Sequence, residues 1–291
     1  MRIVSWNIQW GRGADGHVDL ARTIDVLRRL DGDVICLQEV AIGLDGLPGG
    51  VVEDGLARLC EGLPGYAAAH GPAVDVAAAA GGRASFGNLI LSRRPVTQIW
   101  RHMLPWPAEA GVPSMQRACV EVVVNYAGAP LRVLTTHLEY YSAAARVAQA
   151  QRLVDLQCEA CALEVTPPAG KESSAAFASR PRPSRAVLCG DFNAPPGGDA
   201  YRTVLADGPL HPWCDAWATV HGSSPHAHSV GLHGAEWPAA PYCCDFFFVS
   251  RNLLPGVASV FVEASTDASD HQPVVLDLLE VAGESGSTSP R

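Results

Sequence analysis

At 291 residues the chain can bury a sizeable core in one domain, and 48% hydrophobic with 18% charged residues is the composition of an ordinary globular protein. No apolar run reaches the ~20 residues of a membrane span, and the opening Arg-Ile-Val-Ser-Trp-Asn lacks the apolar stretch of a signal peptide, so a cytoplasmic address is the default expectation. A formal net charge of -9, with Lys171 the only lysine, speaks against a long basic face for unaided duplex binding, although Arg180, Arg182 and Arg185 make one small basic patch.

In chain order, Ile3 to Asn7 alternates as a strand, Val18 to Leu30 has helical spacing, and Asp33 to Gln38 reads as the next strand. A helix is expected over about Val51 to Cys60, and another from Ser142, a good N-cap, to about Leu163 before Pro167-Pro168. Further strands are expected at Asn88 to Ser92, Ala118 to Asn125, Leu131 to Thr136, Arg185 to Cys189, Cys243 to Ser250, Val257 to Val262 and Pro273 to Leu278. Long Gly/Pro/Ala-rich connections are expected at Ala41 to Gly50, Gly71 to Ala84, Met103 to Met115, Thr166 to Ser184 and Val220 to Tyr242. None of these connections separates the polar landmarks below into two groups, so residues 1–281 read as one domain and 282–291 as a loose tail.

The nine cysteines are an odd number spread through strands and helices, which favours reduced thiols over a disulfide framework. Cys158-x-x-Cys161 has no second pair of ligands at zinc spacing, and buried helix thiols are the better reading. Four histidines, His221, His226, His228 and His233, crowd one loop without acidic or thiol ligands among them, so chance clustering outweighs a transition-metal site.

Five apolar runs share an unusual ending in acid, amide or imidazole groups: Ser-Trp-Asn7, Cys-Leu-Gln-Glu39, Leu-Thr-Thr-His137, Val-Leu-Cys-Gly-Asp191-Phe-Asn193 and Ser-Asp270-His271. One such ending is an ordinary strand reaching water, but sheets can bring five together on one rim. This ordered set, with Asp245 opening the apolar Asp245-Phe246-Phe247-Phe248-Val249, resembles the endonuclease/exonuclease/phosphatase superfamily from Asn7 to His271. That resemblance implies an α+β fold, a four-layer α/β/β/α sandwich with two mixed, mainly antiparallel sheets face to face and helices outside. It also implies a magnesium-dependent phosphoesterase, with manganese as an alternative.

The resemblance assigns roles residue by residue. Glu39 is the principal metal ligand, with Asn7 and Asp270 beside it, a set of oxygens that suits magnesium. Asp191 positions or deprotonates the attacking water, and Asn193, taken as two residues further along an extended segment, directs its amide to that water or to a phosphoryl oxygen. Gly190 is expected to permit a close turn. His271, held by Asp245, and His137 from the other side donate to the phosphate; His271 as the base with Asp191 as organiser is the competing assignment. Asn88 and Arg117 are weaker substrate-binding candidates, otherwise a turn residue and a surface arginine. Trp106, Tyr140, Tyr141 and Trp237 lie on or beside the rim loops, to stack on a flat group or to anchor the loops. The expected partner is a phosphoester substrate, with nucleic acid ahead of phospholipid or inositol phosphate and a non-catalytic phosphate-binding protein last; a monomer is the default.

Overall fold

The computed structural model describes residues 1–50, 54–79, 81–206 and 213–279. A first sheet combines β1 (Arg2–Asn7), β2 (Val34–Ile42), β3 (Ala67–Ala77), β4 (Arg83–Ser92), β11 (Val257–Val262) and β12 (Val274–Leu278) in the order β11-β12-β1-β2-β4-β3. The second contains β5 (Val96–Met103), β6 (Ala118–Tyr126), β7 (Ala129–His137), β8 (Ala186–Asp191), β9 (Cys214–Asp215) and β10 (Asp245–Val249), ordered β5-β6-β7-β8-β10-β9. Only β1 with β2 and β7 with β8 pair in parallel; every other neighbouring pair is antiparallel.

Side-chain alternation then builds the layers. Ile3, Cys36, Ile90 and Leu276 of the first sheet meet Val120, Val122, Val133, Val187 and Phe247 of the second in one core. Their chain neighbours Val4, Trp6, Ile35, Leu37 and Val275 face outward and are covered by α1 (Leu20–Leu30) and α2 (Gly55–Gly62). On the far side, Leu134, Leu188, Phe246 and Phe248 are covered by α3 (Ala143–Val165) and α4 (Asp199–Val204). The outcome is the expected four-layer sandwich, and strands buried on both faces explain why β1, β8 and β10 read as nearly continuous apolar runs. α5 (Ala216–His221) completes the α-helices among the described residues. None of them is long and apolar enough to cross a membrane.

Helix starts follow their caps. Asp19 accepts from the backbone N–H of Ala21 and Arg22, so α1 begins after Val18, not at it. Ser142 caps α3 as expected, and Asp54 caps α2, which runs somewhat later than predicted; Val51 to Glu53 and residues 282–291 lie outside the described residues.

Gly71 to Ala84 is not a long connection. Most of it belongs to the hairpin of β3 and β4, where Pro72 sits at a register shift on the sheet edge. Its Gly, Pro and Ala content hides an edge strand whose backbone approaches closely: a Cβ on Gly87 would lie 2.4 Å from the Gly71 carbonyl oxygen. Strand β5, alternating between exposed and half-buried residues, is likewise not evident from the sequence, nor are the short β9, α4 and α5.

Candidate active site

Topology gathers the polar strand ends. In the parallel pairs β1–β2 and β7–β8 the C-terminal ends lie together, and antiparallel β10 and β12 present their N-terminal ends to the same rim. His137 is in register with Asp191, and Asp191 with Asp245. Asn7 ends β1, and Asp270 and His271 come just before β12.

Three of the expected local conformations need correction. Glu39 does not end its strand: β2 continues to Ile42, and Glu39 sits at the register shift between Leu37 and Val40 with φ of 59°. A non-glycine residue there costs about 1–3 kcal/mol, sustained by the surrounding sheet. Asn193 is not extended either. Its φ is 47°, and its N–H donates to Asp191 Oδ1 at 2.8 Å, closing an Asx turn that brings the amide back over His137. Asp191-Phe-Asn193 therefore forms the turn and, in doing so, sets the Asn193 amide beside His137. Gly190 lies within β8, not in a turn, and is required because a Cβ would stand 1.9 Å from the Thr136 carbonyl oxygen of β7.

The hydrogen bonds assign protons. Asn193 Nδ2 donates to Leu138 O and reaches His137 Nε2, both at 2.9 Å. The carbonyl fixes which amide atom is nitrogen, so His137 Nε2 accepts and its proton resides on Nδ1, 3.8 Å from Glu39 Oε1. Burial, with Arg117 nearby, lowers the His137 pKa to about 3, so this imidazole is neutral. His271 is the opposite case. Burial disfavours its charge, but Asp245 and Asp191 outweigh burial and raise its pKa well above the usual value. Its Nδ1 donates to Asp245 Oδ2 at 2.9 Å, and its Nε2 lies 3.6 Å from Asp191 Oδ2.

Asp191 is held from several sides. Its Oδ2 accepts from Asn7 Nδ2 at 3.1 Å and lies 3.4 Å from His137 Nε2. Asn7 Nδ2 also reaches Glu39 Oε1 at 3.2 Å. Arg117 and Asn88 are both buried and line one small recess with Glu39 and His137, so neither is a surface residue. Asn88 Nδ2 donates to Ala118 O at 2.8 Å, and Arg117 Nε lies 3.5 Å from Glu139 Oε2.

Four further contributors do not stand out in the sequence. Gln9 Nε2 holds Asp270 Oδ2 at 2.9 Å, and Ser229 Oγ donates to Asp245 Oδ2 at 2.6 Å. Tyr242 stands beside Asp191, and the buried Glu139 anchors the segment after His137. Gln9, two residues after Asn7, is discoverable by spacing; Ser229 sits in a loop with no periodicity to place it.

A divalent metal fits the Glu39 side of the site. Burial and the nearby Asp270 carboxylate push Glu39 up to about 7, the mark of a negative cluster lacking a counter-charge. Gln9 Oε1, beside Asp270, is a buried acceptor without a hydrogen-bond donor. Carboxylate and amide oxygens of this kind suit magnesium or manganese. The ligand atoms of Asp191, Cys244, Asp245 and His271 also lie within 4.8 Å of one another. That group does not suit a soft metal, because burial and Asp245 keep the Cys244 thiol protonated and the imidazole already bonds Asp245. The histidine loop disperses its rings: His221 reaches Val260 O, His226 reaches Asp215 and His233 reaches Ala264 O, each at 2.8 Å.

Comparison with known proteins agrees with this fold. The family model described as Endonuclease/Exonuclease/phosphatase family matches residues 4–271. Among solved structures, an endonuclease/exonuclease/phosphatase from Beutenbergia cavernae is 24% identical with TM-score 0.64, covering 96% of this chain and 71% of that one. A mannosyl-6-phosphatase from Bacteroides thetaiotaomicron is 18% identical, with TM-score 0.60 and coverages of 96% and 99%. The human Nocturnin catalytic domain with bound sulfate is 16% identical, with TM-score 0.59 and coverages of 96% and 93%. No curated protein sequence matches the chain.

Proposed function

Because this chain belongs to the endonuclease/exonuclease/phosphatase family, whose members hydrolyse phosphoester bonds with a divalent metal, we propose that it is a magnesium-dependent phosphodiesterase acting on a nucleic-acid type of ester. The observation that carries the reading is the pair of unlike histidines around Asp191, one neutral and one cationic, facing the Glu39 and Asp270 carboxylates.

Hydrolysis needs a positioned water and donors around oxygens that gain charge. Asp191 Oδ2 is the acceptor for the water, and its other oxygen is fixed by the Asn193 N–H, so the carboxylate cannot rotate away. His271, charged and braced by Asp245, presents Nε2–H to a phosphoryl oxygen. His137 offers a second, neutral donor through Nδ1, and buried Arg117 adds positive charge from the same recess. Glu39, Asp270 and Asn7 would hold the magnesium, or manganese in its place, and when bound it supplies Lewis-acid stabilisation of phosphoryl and leaving-group oxygens. A charged His271 is a donor and not a base, which favours Asp191 for the water.

Bis(p-nitrophenyl) phosphate tests this reading. Turnover should require magnesium or manganese, stop with EDTA, and fall by about 10²-fold or more in Asp191→Ala and in His271→Ala. Full activity in either variant overturns the role assigned to that residue.

A further inference from the structure

Two loops flank the site and meet through their aromatic rings. Tyr141 packs edge-on to Tyr140 at 4.7 Å between centroids, Tyr140 to Trp237 at 5.3 Å, and Trp237 to Tyr242 at 5.8 Å. Interplanar angles of 86–88° make this a folded wall of alternating faces and edges. Three of its rings are not core residues: Tyr140, Tyr141 and Trp237 are 37%, 62% and 39% exposed.

Both ends of the wall are tied to catalytic backbone. Tyr140 comes two residues after Leu138, whose N–H donates to Asp191 O at 2.9 Å and whose carbonyl accepts from Asn193. At the other end, Val230 bridges both Tyr242 and His271. These links join the wall to the segment after His137 and, through Val230, to His271.

The Tyr140 segment is held rigid. Buried Glu139 accepts from Tyr140 N at 2.9 Å and Tyr141 N at 3.1 Å. Arg146 Nη1 donates to the carbonyls of Glu139 and Tyr140, each at 2.7 Å. A loop with its backbone satisfied in this way displays its rings without an ordering penalty on binding. Polar ends remain open: among the described residues, no hydrogen bond engages Trp237 Nε1 or the hydroxyls of Tyr140 and Tyr141.

Charge narrows the ligand further. Two cations lie close by: Arg12 is paired with Glu236 at 3.0 Å, and Arg146 Nη1 is spent on the two loop carbonyls. Exposed aromatic faces and edges suit a flat neutral group better than additional phosphates. Resting on the phosphoesterase reading, we infer that Tyr140 and Trp237 form a base-binding corner, and that the substrate carries a nucleoside on its scissile phosphate with the base stacked there.

Calorimetric binding with magnesium separates this inference from the chemistry. The 5′-methylene phosphonate analogue of AMP, which resists hydrolysis, is compared with methylphosphonate. The base-bearing ligand should bind at least about tenfold more tightly. Tyr140→Ala and Trp237→Ala should erase that preference, whereas Tyr140→Phe, which keeps the ring, should retain most of it. Equal affinity of the two ligands, or an undiminished preference in both alanine variants, overturns the base-binding corner even if bis(p-nitrophenyl) phosphate is cleaved. A base preference without cleavage of any ester sustains the corner and removes the phosphodiesterase.

Discussion

His137 and His271 approach the same oxygen of Asp191, at 3.4 and 3.6 Å from Oδ2, yet they carry different charge. One is fixed by an amide that donates to it, the other by a carboxylate that accepts from it. Nitrogen-15 NMR of the metal-free protein should show His137 as a neutral imidazole protonated at Nδ1 at pH 7, and His271 with both nitrogens protonated. Matching titration of the two rings near the ordinary histidine value of about 6.5 would contradict this assignment.

The Asp245 contact can be removed with little change of shape. Asp245→Asn takes away the main charge that holds His271 protonated, so the pKa of His271 falls. Turnover should drop by about 10²-fold at pH 8, and the alkaline limb of kcat/KM should move to lower pH. An unchanged profile with reduced rate would assign Asp245 a packing role only.

Glu39 makes metal affinity depend on pH. Its pKa of about 7 in the metal-free protein means that below pH 7 a proton must leave before a cation binds. Manganese affinity, followed by electron paramagnetic resonance, should weaken by about tenfold per pH unit from 7 toward 5. The same shift has a stability consequence with a definite sign. A carboxyl raised in the folded state loses stability as pH rises from its ordinary range through 7. Metal-free Glu39→Gln should lack that decline, so its melting temperature should exceed the wild type's more at pH 8 than at pH 5; added manganese should stabilise only the wild type appreciably.

Gly190→Ala tests the β7–β8 pairing that sets His137 opposite Asp191. The new methyl would collide with the Thr136 carbonyl, a backbone atom that cannot rotate aside, at a residue whose φ is 137°. Unfolding in urea should show a loss of about 3 kcal/mol or more, or no folded protein.

Buried strands are legible in the sequence because both of their faces are covered: β8 and β10 read as apolar runs with polar ends, and those ends converge at the candidate site. Ser142 announces α3 through capping chemistry alone. The half-exposed β3 and β5 are not legible, since alanine, glycine and mixed polar residues at a sheet edge carry no strong periodic signal. At the site, residue identity points to Asp191 and Asn193, but the left-handed backbone at Glu39 and Asn193 comes from the bulge and the Asx turn, and only tertiary pairing reveals it. Ser229 escapes notice because it acts through its neighbour Asp245 and ends no apolar run, and Gln9, acting through Asp270, is signalled only by its spacing from Asn7.

Strand β12, among the last residues described, lies between β1 and β11 and carries the chain past Asp270 and His271. During synthesis, β1 must therefore wait for residues 274–278 before its second edge is paired. A copy halted before residue 270 would expose that edge and lack His271 altogether. Such a copy would join an unpaired sheet edge to an incomplete candidate site.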